Sequence, residues 1–461
     1  MPQKQLLLAY TEHDDNMGAL YYVFNHSNGF VVVSADDEVT PIIGYSDGGG
    51  FDMDSIPKNM KSFLNLCKDG IKKVIGANSN LYISEEGRDT TVFAPFVAPL
   101  LGDINFAQSE PYNEMCPKYN GENTLVGCVA VSMGQIMKYY EYPLKGDGGC
   151  SFTTKTHKLK VAADFSSVTY DWENILSSYV DNDYTPVQVK AVSELLFHCG
   201  ASVQMDYSIG GSSASEDFAA YTLVNNFGYD DDIDVKYRFM YTQDEWIDLI
   251  KKELNEKRPV IYCGICYERG GHAFNCDGYD ENGLFHINWG WNGRFNGYFD
   301  LRLLNDDNTK SEESHYGYTK NQSVIVGIQP KKADSKRELH YKIVSRNGIY
   351  YDGEVKKIGF EVTNYGLNLY GGEFAVGIFS SDDSLMKVVS PAFTYLSPSQ
   401  PYSYSVSVGD LLVEESSLKI KPIYKPSGDS DWLCIEGGVN TPMILFFVFI
   451  QIIYMYSSGS S

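Results

Sequence analysis

The run Gly127-Cys128-Val129-Ala130-Val131-Ser132-Met133-Gly134-Gln135-Ile136-Met137-Lys138-Tyr139-Tyr140 reads as a helix with a cysteine in its first turn. Ala130, Met133, Met137 and Tyr140 recur at helical spacing, and Tyr142-Pro143 closes the run because proline cannot continue it. Gly127 supplies a bend with no side chain in the way. A thiol at such a start lies at the positive end of the helix dipole, among amide N–H groups without intrahelical partners. Both favour the thiolate, which is the nucleophilic form. On this segment alone a small packed structural cysteine is the more ordinary reading. The decision rests on whether the chain also supplies a base.

A cysteine nucleophile needs a base, an orienter for that base, and donors for the oxyanion. His272 follows Gly270-Gly271 and opens a buried-looking strand, 144 residues beyond Cys128. That separation lies inside the ~130–150-residue spacing of papain-like enzymes. The next strand ends His286-Ile287-Asn288-Trp289-Gly290-Trp291. Asn288 is placed to accept from one ring nitrogen of His272, with Trp289 shielding that bond. His286, on the same face as Asn288, is the nearest competitor and equally fits a packed core histidine. Gln108 is placed to give a side-chain N–H to the oxyanion, alongside the backbone N–H of Cys128. Each residue singly has a structural explanation; the order Gln, Cys, His, Asn-Trp carries the reading jointly.

Two other motifs lead elsewhere. Gly44-Tyr45-Ser46-Asp47-Gly48 matches G-x-S-x-G by letter, but Gly49-Gly50 follows where that motif needs a helix. Cys263-Gly264-Ile265-Cys266 has no second ligand pair at metal-like spacing and sits in a strand pattern, so structural cysteines are expected. No metal and no cofactor are expected.

At 461 residues the chain exceeds one ordinary core. Lys and Arg total 37 against 60 Asp and Glu, a net charge of −23, which attracts neither nucleic acid nor an anionic membrane surface. Residues 6–46 alternate apolar runs and turns, with a hairpin at Asn28-Gly29, and Ile56 to Ile75 reads as an amphipathic helix. Together they predict a small α+β unit. Ser84-Glu85-Glu86-Gly87-Arg88-Asp89-Thr90-Thr91 has the composition of an exposed, cuttable linker. A second helix is expected over Val187–Cys199, then the Gly/Ser-rich loop Gly210–Ser215, then strands from Pro259 to Ile328. Beyond the charged break Lys331–Arg337, short strands at regular spacing suggest a β-sandwich. Leu6–Tyr10 is too short an apolar core for a signal peptide. Met443–Tyr456 is shorter than the ~20 residues a spanning helix needs, so no membrane insertion is expected. It reads as a buried strand pair or a misread end.

The segments Pro99-Leu100-Leu101, Gln108-x-x-Pro111-Tyr112-Asn113, Gly127-Cys128-Val129-Ala130, Gln135–Tyr139, Met205-Asp206-Tyr207, Gly270-Gly271-His272-Ala273-Phe274 and His286-x-Asn288-Trp289-Gly290-Trp291 closely resemble the streptopain family of bacterial cysteine peptidases, interpain-like enzymes included. Phe30–Asp37 and Gly44-Tyr45-Ser46 resemble that family's propeptide. Phe106 stands where relatives often carry Trp.

The resemblance implies an α+β architecture. Residues 1–88 would be an inhibitory pro-domain and 89–330 a papain-like catalytic domain; 337–461, outside the peptidase resemblance, is the β-sandwich-like module read from its strand spacing, incomplete if the chain's end is misread. It implies a secreted, periplasmic or cell-surface zymogen that hydrolyses proteins once the pro-domain, its own intramolecular inhibitor, is removed. By the same resemblance Cys128 is the nucleophile, His272 the base, Gln108 the oxyanion donor, and Asn288 with Trp289 the support. Ser213 and Gly271 would line a substrate groove that in relatives favours a hydrophobic residue two before the cut. Two alternatives stay open: a papain-like scaffold in a surface adhesion or binding protein, and a papain-fold acyl transferase.

Overall fold

The computed structural model describes residues 6–77, 93–180, 183–238, 241–266, 270–304, 320–332, 343–345, 349–352, 357–364, 366, 368–380, 382–397, 401–407, 419–437 and 444–445. The linker expected at Ser84–Thr91, most of the charged break before Arg337, and the apolar stretch Met443–Tyr456 apart from 444–445 lie outside them.

The N-terminal residues form an antiparallel meander of β1 (Leu7–Asp14), β2 (Gly18–His26), β3 (Gly29–Ser34) and β4 (Ile42–Ser46), followed by α1 (Lys58–Ala77). The expected hairpin is present, with His26 opposite Gly29. On α1 the buried residues Met60, Phe63, Leu64, Cys67, Ile71 and Val74 recur every three or four positions, so one stripe faces the sheet.

A short hairpin, β5 (Lys118–Tyr119) and β6 (Glu122–Asn123), precedes α2 (Cys128–Tyr140). Every α2 residue from Val129 to Met137 is buried, so this helix is apolar on all sides and runs through the core rather than along its surface. It packs against α3 (Pro186–Ser202), which follows the hairpin of β7 (Gly149–Thr153) and β8 (Lys160–Asp164). Then come α4 (Glu216–Asn225), β9 (Asp234–Tyr237) and α5 (Gln243–Asn255). The strands β10 (Val260–Cys266), β11 (Gly270–Tyr279), β12 (Phe285–Asn288), β13 (Gly297–Phe299) and β14 (Lys320–Val326) complete this part.

One sheet joins β1–β4 to β9–β14, in the order β1-β2-β3-β4-β13-β12-β11-β10-β14-β9, while β5–β6 and β7–β8 stand apart as hairpins. Its seam is β4 against β13, with Tyr45 opposite Tyr298 and Gly44 opposite Phe299. Gly44 is required there, because a Cβ would lie 2.4 Å from the Phe299 ring and 2.9 Å from the Tyr298 carbonyl.

This first compact unit comprises Met1–Arg238 and Thr242–Arg337, and a second comprises Phe239–Tyr241 and Glu338–Ser461. In the second, β15 (Ile343–Ser345), β16 (Ile349–Asp352), β17 (Lys357–Asn364) and β20 (Pro401–Ser407) form one sheet, while β18 (Tyr370–Phe379), β19 (Leu385–Leu396) and β21 (Lys419–Pro426) form another. Phe360, Val362 and Val406 of the first share one core with Phe374, Ile378 and Leu396 of the second, which is a β-sandwich.

Candidate active site

The start of α2 is fixed by its neighbours. Gly127 has φ +92°, and a Cβ on it would sit 2.6 Å from the Met205 side chain, so only glycine fits. Val126 N donates to the Gln108 carbonyl (2.9 Å), while Phe106 N donates to Gln135 Oε1 (2.9 Å), stitching the Gln108 segment to α2. Cys128 is half-buried, and its Sγ accepts from the Ala273 amide at 3.4 Å. Burial pushes the thiol above its ordinary value, opposed by the amides of Ala273, Val129 and Cys128 itself; the Glu216 carboxylate adds to the rise.

His272 lies on β11 next to Ala273, so the same strand brings imidazole and thiol to one place. Among the described residues, no hydrogen bond joins the ring to the thiol. Its Nε2 shares a hydrogen bond with the Trp289 carbonyl at 3.2 Å, and the ring lies nearly parallel to both Trp291 (5.4 Å, 21°) and Trp289 (6.3 Å, 14°). With 3% exposure, burial pushes its pKa down to about 4, partly offset by the Trp289 bond. A raised thiol and a lowered imidazole are both neutral near pH 7. That is the opposite of a thiolate–imidazolium pair.

Asn288 is one strand over, as its position implied, but it does not meet the ring. Its Nδ2 donates to the Ile104 carbonyl (2.9 Å), and its Oδ1 accepts from Gly290 N (3.1 Å). His286 is bound to buried Asp277 through Nδ1 at 2.6 Å and stands against Tyr298, away from the thiol's contacts. Gln108 is half-buried with its carbonyl engaged as described. Gly271 and Ser213 are both exposed; Ser213 exchanges backbone hydrogen bonds with Asp206 (2.8 and 3.3 Å). Ser46 of the G-x-S-x-G match ends β4 and donates to the Asn296 carbonyl (2.6 Å), a structural role.

The N-terminal residues hold the segment that holds His272. The Phe63 ring meets Trp289 edge-on at 5.5 Å and Phe299 at 4.9 Å, and Phe30 packs on Phe295 at 6.1 Å. Phe295 N donates to the Gly48 carbonyl (3.2 Å), while Trp289 Nε1 donates to the Phe295 carbonyl (3.0 Å). Residues 289–296 are thereby clamped, and the Trp289 carbonyl is one group that binds His272. Reading the sequence missed Ala273, Trp291, Asn296 and Glu216. The doubled Trp289/Trp291 was the one visible signal; the two indoles lie just beyond the end of β12 and stack on each other at 5.2 Å.

A thiol and an imidazole thus lie on neighbouring segments, each with a partner of its own and, among the described residues, no hydrogen bond between them. Residues 106–299 match the Peptidase C10 family, and residues 6–71 match the Spi protease inhibitor family. Streptopain of Streptococcus pyogenes is 35% identical over 332 residues, covering 68% of this chain and 81% of that protein. The thiol protease/hemagglutinin PrtT of Porphyromonas gingivalis is 29% identical over 439 residues, covering 90% of this chain. The chain spans 49% of the length of PrtT. A solved fragment of Prevotella intermedia prointerpain A is 31% identical with a TM-score of 0.62, covering 71% of this chain and 100% of the fragment. The chain belongs to the peptidase C10 family. It is the precursor of a cysteine peptidase, carrying an inhibitor-type propeptide ahead of the enzyme. No helix among the described residues is long and apolar enough to cross a membrane.

Proposed function

We propose that Cys128 and His272 are the reacting pair of an endopeptidase that becomes active when the N-terminal segment, residues 1–88, is removed from a catalytic domain of residues 89–330. The observation that carries this reading is the hydrogen bond of His272 to the Trp289 carbonyl, on a segment covered by Phe63 and Phe30 of the propeptide. Once that cover leaves, residues 289–296 lose their clamp and the ring is free to turn toward Sγ. His272 then takes the Cys128 proton, and the resulting thiolate attacks a peptide carbonyl. The oxyanion is held by the Cys128 N–H and the Gln108 amide, His272 protonates the leaving amine, and water activated by His272 releases the acyl group. Asn288 and Trp289 support the turned ring, and Gly271 and Ser213 line the groove.

Protein substrates outside the cell follow from the family, as does export before activation. PrtT is named as a hemagglutinin as well as a thiol protease, and its match extends into the C-terminal β-sandwich of residues 337–461. A binding role for that module alongside proteolysis is the reading we adopt for it.

The test is incubation of the purified precursor with reductant, followed by gel and N-terminal sequencing beside a Cys128→Ala control. Loss of the first ~90 residues, followed by casein cleavage, in the unsubstituted protein alone supports the reading. If a tryptic cut in the 84–91 linker still yields no peptide hydrolysis, the reading fails.

A further inference from the structure

We propose that Gln135 is a positioning residue for the oxyanion donor Gln108: it holds residues 106–108 in register along α2 while the loop on their other side is released on activation. This rests on the peptidase reading above.

Gln135 is 0% exposed, in a helix whose residues from Val129 to Met137 are all buried. Its Oε1 accepts from Phe106 N (2.9 Å), and its Nε2 is buried with no hydrogen-bond partner among the described residues. The side chain thus satisfies one buried N–H and leaves another, its own, unsatisfied, so it adds little to stability. An apolar side chain of similar length would fill the same space. What the amide supplies, and an apolar residue would not, is a fixed address for Phe106.

That address lies in the site. Gln135 follows Cys128 by two helical turns, about 10 Å, and so shares its face of α2. The segment 106–108 is tied at both ends of this span. Phe106 N binds Gln135 at the far end, and the Gln108 carbonyl accepts from Val126 N (2.9 Å) just before the helix begins. Both proposed oxyanion donors, the Cys128 N–H and the Gln108 amide, come from these two bound segments. Without Gln135 the Val126 bond would remain, but the segment would lose its register along the helix.

The other edge of the same segment faces the loop that the propeptide covers. The Phe106 carbonyl accepts from Asn292 N (3.1 Å), and Asn105 Oδ1 accepts from Asn296 Nδ2 (2.8 Å) and from Asn288 Nδ2 (3.4 Å). The Asn296 carbonyl in turn accepts from Ser46 Oγ of the propeptide (2.6 Å). Residues 105–106 are therefore held from one side by the clamped loop and from the other by Gln135. When the loop is freed, the hold from α2 stays, and it keeps Gln108 beside Cys128 as His272 turns.

The experiment compares the activated enzyme with its Gln135→Met, Gln135→Glu, Gln108→Ala and Gln135→Met/Gln108→Ala variants. It reads kcat and KM on one peptide, inhibition by a peptide aldehyde, and alkylation of Cys128 by iodoacetamide. The aldehyde carbon bonds to the Cys128 sulfur and its oxygen takes the oxyanion position, whereas alkylation forms no oxyanion. We expect Gln135→Met to lower kcat by about 10-fold or more with KM within about 2-fold, to weaken the aldehyde by the same factor, and to leave alkylation within about 2-fold. Gln135→Glu keeps an acceptor for Phe106 N and should stay within about 3-fold of the unsubstituted enzyme. In the Gln108→Ala background Gln135→Met should cost less than about 2-fold, because the donor it positions is already gone.

An unchanged kcat, an equal loss with and without Gln108, or alkylation that falls in step with kcat overturns the proposal. If Gln135→Met does not fold, Gln135→Asn, which withdraws the acceptor by one methylene, goes through the same measurements with the same expectations. Failure of both variants to fold overturns the proposal in favour of a purely structural amide. If the unsubstituted activated enzyme cuts no peptide, the peptidase reading is what has failed, and the proposal falls with it.

Discussion

Around Cys128 the chain is fixed by the fold of the peptidase itself: the left-handed Gly127, the Met205 side chain against it, the Gln135 bond to Phe106, and the Ala273 amide on the thiol. Around His272 it is fixed from outside. Trp289 and Phe295 are covered by Phe63 and Phe30, residues that the mature enzyme does not keep under the proposed cut. Under the proposed mechanism, latency therefore resides in one half of the Cys128–His272 pair: Cys128 keeps its place on activation, whereas His272 needs a new partner.

The strongest test of that contrast is chemical. His272→Ala should abolish self-cleavage and peptide hydrolysis by at least ~10³-fold while the circular dichroism spectrum stays unchanged. Retained hydrolysis would mean that another group serves as base. Next in size, iodoacetamide should alkylate Cys128 about 10- to 100-fold faster at pH 7 after the propeptide is removed, because the raised thiol gains an imidazole partner. Equal rates would show that the dyad was already coupled.

Phe63 offers a packing test. It is 1% exposed, and Phe63→Ala should lower precursor stability by about 3–5 kcal/mol and hasten processing. If denaturant midpoint and processing rate both stay put, the clamp lies elsewhere. Acid should act in the same direction, more weakly. His272 has a native pKa of about 4 against ~6.5 when released, so the latent form binds fewer protons than the opened one. Its contribution is intact above pH ~6.5 and fades as pH falls toward 4. Cys128→Ala precursor should therefore melt several degrees lower at pH 5 than at pH 7.5, and His272→Gln should remove part of that gap. His198, lowered to about 4 chiefly by burial, accounts for another part. Smallest of all, Tyr45→Phe deletes one 3.3 Å hydrogen bond to Asp280 and should cost less than ~1 kcal/mol in urea melts.

Much of this was legible in the residues. The α2 helix, the β11–β12 hairpin, the hairpin at Asn28-Gly29, the α1 helix and the C-terminal sandwich follow from periodicity and turn chemistry. Gly127 announced a backbone that only glycine adopts. The α4 and α5 helices and the β7–β8 hairpin were not read. In α4 the Gly/Ser-rich lead-in masked the start, and α5 is a largely polar helix whose signal is the Thr242–Glu245 capping box rather than an apolar run. The pairing of β4 with β13 was out of reach, because strand partners 250 residues apart leave no local trace. The placement of Asn288 shows a different limit. Sequence placed it one strand from His272, but its amide is committed to the Ile104 carbonyl, a partner 184 residues away in the chain that no local pattern encodes, and to Gly290 N.

The seam at Tyr45–Tyr298 has a consequence for the mature enzyme. A sheet that is continuous in the precursor acquires a raw edge when its first four strands depart, and such edges invite other chains. This one is only three residues long, Gly297–Phe299, too short to template an extended stack. It is long enough to act as a docking rail for a returning strand. A liberated propeptide thus keeps an address on the enzyme it left, so early in activation, while both fragments are concentrated, turnover should be restrained by its own by-product and then rise as that fragment is diluted or degraded.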